Sequence, residues 1–253
     1  MNAPLLTIVT ISKDDPHGLE RTLGSAAALR LAQGVEHLVV YGGVIPSGGS
    51  DNSVIMLRQE SAGIAGAFNE GLKQAHGEWV WFLNGGDAVH ETLDAAWLLA
   101  LLTGTRAQVV TGAVQYDGDV APRALPPLAA QWPLLTCWLA HPATLIRRDK
   151  LVAIGGFSGR LQIAMDYDLW LRLLPGSAVD VLSIPFARFD VNGISQRPEM
   201  HGLVCREEAA VLLGHAGKLA GAVFRMGGSF IRRMIWALAH WRPRGKDVKH
   251  ERD

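Results

Sequence analysis

Four short apolar runs, Leu5–Ile11 (LLTIVTI), His37–Tyr41 (HLVVY), Ser53–Leu57 and Glu78–Leu83 (EWVWFL), fall within the first hundred residues. They are rich in β-branched and aromatic side chains, and polar or glycine-rich text follows each one. Helical spacing lies between or after them. Leu19, Leu23, Ala26 and Ala27 share one stripe of His17–Ala32. Ile64, Ala67, Phe68 and Leu72 share one stripe of Gly63–Ala75, and Glu91–Leu102 reads as a further helix. Runs of this kind are strands buried on both faces, and their alternation with helices predicts a mostly parallel sheet covered by helices. In such sheets ligands bind outside the carboxyl ends of the strands. The segments after Ile11, Tyr41 and Leu83 therefore open onto one edge.

The second half is less regular. Val109–Tyr116, His141–Arg147 and Ala178–Ile184 read as strands, Met165–Leu174 and Glu199–Leu213 as helices, and the proline-rich 121–133 as a loop. The simplest division is a domain over residues 1–212 and a helical extension over 213–253. Along Lys218–Trp241 an apolar stripe includes Phe230, Met234, Leu238 and Trp241, with Arg225, Arg232 and Arg233 mostly opposite. No Asp or Glu occurs between Ala209 and Lys246. Such a helix either packs on the domain with a solvated basic face or lies on an anionic membrane surface.

Bulk composition excludes several classes. Lys plus Arg and Asp plus Glu both total 24, so no global field draws in nucleic acid. Cys137 and Cys205 are too few and too distant for a disulfide framework or a zinc site. No apolar run approaches the roughly 18–20 residues of a membrane span, and the N-terminus lacks a signal-peptide pattern. The expectation is a cytoplasmic protein, with peripheral contact at the inner face of the plasma membrane if the basic extension binds lipid. There is no Walker A pattern, no G-x-G-x-x-G after a strand and no G-x-S-x-G elbow.

Two candidate sites remain. Asn84-Gly85-Gly86-Asp87 stops the WVWFL strand abruptly. It is either an ordinary turn or a place where Asp87 meets a hard cation and the glycines admit a diphosphate. Asp166 opens the AMDYDLWLRLL helix, where it is either a cap or a general base held by the helix behind it.

The order LTIVTISKD, AGIAGAFNEGLKQAHGEWVWFLNGGD, HPATLIRR, GGFSGRL, MDYDLWLRL and NGIS over residues 5–212 resembles the family 2 glycosyltransferases of GT-A fold. Within them it resembles the bacterial colanic-acid and exopolysaccharide branch. The resemblance implies a metal-dependent, hexosyltransferase-type enzyme. It would move a sugar, with inversion, from a nucleotide-diphospho-sugar to a glycan or polyprenyl-linked acceptor. Mn²⁺ or Mg²⁺ would bridge the donor phosphates at Asp87, and Asp166 would be the catalytic base. Thr10, Ile11, Ser12, Tyr41, Asn69, Asn84, Gly85, Gly86 and Asp87 fall on donor-binding positions, and His141 on the acceptor side. Gly193-Ile194-Ser195 falls at the rim. The chain departs from the family pattern at Tyr41, where Asp is usual, and at Gly66, where this branch carries an acid. Those departures suit an alternative: a nucleotide-sugar-binding or scaffold subunit that kept the fold and lost the chemistry.

Overall fold

The computed structural model describes residues 3–44, 53–119, 121, 123 and 139–215. The chain divides into two units, residues 1–211 and 212–253, and the description below concerns the first. The basic extension, Lys218–Trp241, and most of the 121–133 loop lie outside the described residues.

The strands are Leu6–Lys13 (β1), Val35–Gly42 (β2), Ile55–Arg58 (β3), Trp79–Asn84 (β4), Ala88–Val89 (β5), Val109–Tyr116 (β6), Thr144–Arg147 (β7) and Val179–Phe189 (β8). They form one sheet in the order β3-β2-β1-β4-β7-β6-β8-β5. β1, β2, β3 and β4 are mutually parallel, β7 runs against both β4 and β6, and β6 is parallel to β8. One edge therefore collects the carboxyl ends of β1, β2, β4, β6 and β8 with the start of β7. The winding direction reverses between β1 and β4, which makes the crevice outside Ile11 and Asn84 the switch point where such sheets bind ligands.

Both faces of the central strands are apolar because helices cover both. On one face Val9, Val40, Val80 and Phe82 meet Phe68 and Leu72 of Gly63–Gln74 (α3) and Leu169, Trp170 and Leu173 of Met165–Leu173 (α6). On the other, Ile8, Trp79, Trp81 and Leu83 meet Leu98 and Leu102 of Ala95–Gly104 (α4) together with Phe186. Each such side chain contributes about 1.5–3 kcal/mol by leaving water. The buried indoles also satisfy their N–H groups: Trp81 donates to the Pro142 carbonyl (2.8 Å) and Trp170 to the Leu139 carbonyl (3.0 Å). These two bonds bracket His141.

Local chemistry moves several element boundaries. The helix expected over 17–32 breaks at Ala26 into Pro16–Ser25 (the first helix, capped by Asp15 on the Gly18 N–H) and a single turn at Ala27–Arg30. Asp94 caps α4 through the Trp97 N–H, so that helix starts after 94 rather than at 91. The strand expected from His141 begins only at Thr144. Pro142 lacks an amide for a ladder, and His141–Ala143 forms a 3-10 turn instead. Met165–Leu173 starts one residue before Asp166, and its cap position is Ala164, so Asp166 is not the cap.

His37, on β2, is 1% exposed; its Nε2 pairs with the Thr10 hydroxyl at 2.9 Å, and its Nδ1 has no partner among the described residues. Burial, reinforced by the Arg30 charge, lowers its pKa from 6.5 to about 3. A histidine kept neutral by the fold costs stability once the unfolded chain can take a proton and the native state cannot. Its contribution is intact above pH 6.5 and declines as pH falls toward 3, by about 1.4 kcal/mol per pH unit. Urea denaturation of wild type and His37→Leu across that window should show a shallower acid limb in the variant.

Candidate active site

The β4 strand ends in a turn built around a buried carboxylate. Asp87 is 1% exposed. Its Oδ2 accepts from the Asn84 backbone N–H (3.0 Å) and the Asn84 Nδ2 (3.1 Å), and its Oδ1 accepts from the Asp190 N–H (3.2 Å). Burial pushes its pKa up, opposed by those donors. The turn amides are occupied as well: Gly85 N–H donates to the Ile11 carbonyl, Gly86 N–H to the Gly18 carbonyl and the Thr22 hydroxyl, and Asp87 N–H to the Asn84 carbonyl. Gly86 has φ of +111°, and a Cβ there would lie 2.5 Å from Asp190 Oδ2. Only glycine meets both conditions.

This geometry gives Asp87 a structural use that the metal assignment from sequence did not foresee. Both oxygens of Asp87 face protein N–H groups inside the fold, so the residue does not offer a cation an open ligand. Among the described residues no group of three or more His, Cys, Asp or Glu side chains could hold a metal ion. With its oxygens already on these N–H groups, Asp87 does not fit the expected Mn²⁺ or Mg²⁺ as a ligand.

Asp166 is placed differently. It stands in the first turn of α6 with 27% of its side chain exposed, Oδ1 accepting from the Tyr167 N–H (2.7 Å). Its Oδ2 lies 3.8 Å from Nδ1 of His141. Nε2 of His141 is 2.9 Å from Nδ2 of Asn84. The three residues join the turn, the start of β7 and the start of α6 into one cluster at the switch-point edge.

The segment before Asp166 is also held from behind. Residues 201–215 are helical, and Glu207 from that stretch accepts the N–H groups of Gln162 (2.7 Å), Ile163 (2.8 Å) and Ala164 (2.9 Å). Two of these N–H groups belong to the loop before the helix and the third to its cap residue, Ala164, which has no capping side chain of its own. No local sequence signal links residue 207 to residue 164.

Other positions singled out in the sequence have partners within the fold. The side chains of Thr10 and Ile11 are buried, the first spent on His37 and the second in the core, and Ile11 meets the turn only through its carbonyl. Of that segment Ser12 does, with its hydroxyl on the Asp15 carbonyl. Tyr41 is half-buried against the Leu19, Leu23, Val39 and Val54 cluster. Asn69 clamps Phe157: its Nδ2 donates to the Phe157 carbonyl and its Oδ1 accepts the Phe157 N–H, both at 2.8 Å. Both ends of its amide are used, which explains an Asn without any ligand. At Gly66 a Cβ would lie 2.8 Å from Cβ of Ser61, because Glu70 holds the 60–61 backbone over the helix. The acid expected there has no room.

Sequence reasoning missed the opposite wall. Arg21 pairs with Asp190 (2.8 Å) and approaches Asp117 (3.7 Å), at the ends of β8 and β6. Lys13 is exposed at the end of β1 and makes no ion pair among the described residues. Its only signal was a place within the quoted TISKD.

Comparison with known proteins follows the same lines. Residues 44–165 match the family model described as Glycosyl transferase family 2. Two proteins of Mycobacterium tuberculosis, from strains CDC 1551 / Oshkosh and ATCC 25618 / H37Rv, are each described as an uncharacterized glycosyltransferase. Each is 25% identical over 213 residues, spanning 78% of this chain and 79% of its own. Among solved structures, S. aureus TarS superposes with a TM-score of 0.62 at 16% identity, over 97% of this chain. This chain spans only 46% of that protein. TarS 1–349 in complex with UDP gives 0.60, and in complex with UDP-GlcNAc 0.58, both at 16% identity over 97% of this chain and 75% and 76% of theirs. The mixed sheet with helices on both faces matches these GT-A neighbours, as the sequence led one to expect.

Replacing Asp87 by Asn should unsettle the fold itself. An amide leaves one oxygen and turns its NH₂ toward an N–H donor, so buried donors lose their acceptor at a cost of about 1–3 kcal/mol. Chemical denaturation of Asp87→Asn should show a lower midpoint. A carboxylate serving only as an ion ligand would leave that midpoint unchanged.

Proposed function

We propose that this protein is an inverting family 2 glycosyltransferase that moves a sugar from a nucleotide-diphospho-sugar to a hydroxyl of a glycan or lipid-linked glycan. The observation that carries the reading is the position of Asp166. Its carboxylate rides on a packed helix, keeps an oxygen open and stands beside the glycine turn at the switch point of the sheet. A family match over residues 44–165 and GT-A neighbours solved with UDP and UDP-GlcNAc support the same chemistry.

In this reading the donor diphosphate lies over the Asn84–Asp87 turn, and Lys13 supplies positive charge from the end of β1. The acceptor hydroxyl oxygen attacks the anomeric carbon from the face opposite the leaving group. The bond from that carbon to the diphosphate oxygen breaks, its electron pair departs with the nucleoside diphosphate, and the hydroxyl proton passes to Asp166. Attack opposite the leaving group inverts the anomeric centre. The scaffold alternative draws on Tyr41 and Gly66, yet the structure explains both by packing, and an ordered base argues for turnover.

The setting we propose is surface-polysaccharide assembly at the inner face of the membrane. No helix among the described residues is long and apolar enough to cross a membrane. The basic stripe of Lys218–Trp241 suits peripheral contact with anionic lipid, each cation near the surface adding about 1 kcal/mol. Deleting residues 218–253 should reduce sedimentation with phosphatidylserine-containing vesicles, and unchanged sedimentation would remove the membrane reading.

Asp166→Asn tests the chemistry. Release of UDP from a panel of UDP-sugars should fall by about a hundredfold or more, the usual worth of a general base, with the unfolding midpoint near wild type. Equal rates in wild type and variant would refute the catalytic reading.

A further inference from the structure

The Asn84 side chain touches two groups through one nitrogen. Its Nδ2 lies 3.1 Å from Asp87 Oδ2 and 2.9 Å from His141 Nε2. A carboxylate oxygen accepts, so the nitrogen facing it is the amide NH₂ and not its oxygen. One amide hydrogen serves Asp87 and the other points at the imidazole. An imidazole nitrogen that receives a hydrogen bond must be bare, and a neutral ring with a bare Nε2 carries its hydrogen on Nδ1. That hydrogen faces Asp166 Oδ2, 3.8 Å away. Nor is the 3.9 Å approach of His141 Nε2 to Asp87 an ion pair, because the Asn84 amide donates to both.

A separation of 3.8 Å is too long for a hydrogen bond but suits a hydroxyl set beside both groups. An oxygen at ordinary hydrogen-bonding distance from each can accept from Nδ1–H and donate to Oδ2 at the same time. We propose that Asn84 locks His141 as its Nδ1–H tautomer, and that this hydrogen holds the acceptor hydroxyl with one lone pair tied and its proton on Asp166. The second half rests on the transferase reading above; the lock itself does not. His141 is then a positioning residue for the nucleophile, and Asn84 acts through it.

The frame around the ring suits that task. Trp81 and Trp170 hold the backbone on either side through the Pro142 and Leu139 carbonyls. Phe68 meets the imidazole edge to face, with centroids 5.8 Å apart and planes at 64°. Asp87, fixed by Asp190, keeps the Asn84 amide from turning over. The order of command runs from a buried carboxylate to an amide, to a ring, to the reacting hydroxyl.

The lock can be read without substrate. Full-length protein labelled with ¹⁵N-histidine should show His141, identified by its loss in His141→Asn, with a protonated Nδ1 and a bare Nε2. In Asn84→Asp an oxygen replaces the NH₂, and the hydrogen should move to Nε2. A wild-type ring protonated at Nε2, or one unmoved by Asn84→Asp, overturns the lock.

Turnover tests the hydroxyl role. Asn at 141 places an amide donor near the Nδ1 position, whereas Gln places it near Nε2, facing another donor. UDP release from UDP-GlcNAc, UDP-glucose and UDP-galactose should stay within about tenfold of wild type in His141→Asn and fall about a hundredfold in His141→Gln. Equal or reversed losses overturn the role. If wild type releases no UDP from any donor, the transferase reading and the hydroxyl role fail together, while the spectrum still decides the lock.

Discussion

A single buried carboxylate organises the carboxyl edge of this sheet. Asp87 takes two donors from Asn84 and one from Asp190, so it ties the end of β4 to the end of β8 across the site. A carboxyl group this deeply buried is stable only while its oxygens stay paired. That requirement dictates the glycine at 86, the occupied amides of the turn and the orientation of the Asn84 side chain. Everything nearer the solvent, from His141 to Asp166, takes its bearing from this arrangement.

The site is assembled from distant parts of the chain, each with its own anchor. Asn69 grips the Phe157 backbone, and Arg172 bonds the carbonyls of Ile154 and Gly156 nearby. The glycine-rich segment 155–161 is thereby fastened to α3 on one side and α6 on the other. Glu207 secures the loop just before Asp166. The result is a carboxylate with one open oxygen on a mount held by side chains from three separate segments.

The sequence carried the fold well where periodicity speaks. The four parallel strands, α3 and α6 all stand within about two residues of their expected limits, because buried strands and amphipathic helices write their period directly into apolar spacing. Boundaries shifted where a single residue intervened, as Pro142 did at β7 and Asp94 at α4. The site was legible in part. Asp166, His141 and the NGGD turn do converge, yet residue type alone could not tell an acceptor open to solvent from one already filled by amides. Thr10, Asn69 and Asp87 all look like ligands until their partners are known: His37, Phe157 and Asp190 lie 27, 88 and 103 residues away. Glu207 left no trace because its partners are backbone groups, which every residue has.

The Glu207 contact also bears on where the working unit ends. The family match stops at residue 165, one position short of Asp166, and the carboxylate that holds the backbone just before Asp166 comes more than forty positions later still. A fragment trimmed to the matched stretch would lose Asp166 outright. One trimmed anywhere before 207 would keep Asp166 but remove the acceptor of the Gln162, Ile163 and Ala164 N–H groups just before it. The stretch that holds this corner of the fold together is thus longer than its recognisable signature, and Glu207 belongs to the same compact unit as Asp166 rather than to the segment after residue 211.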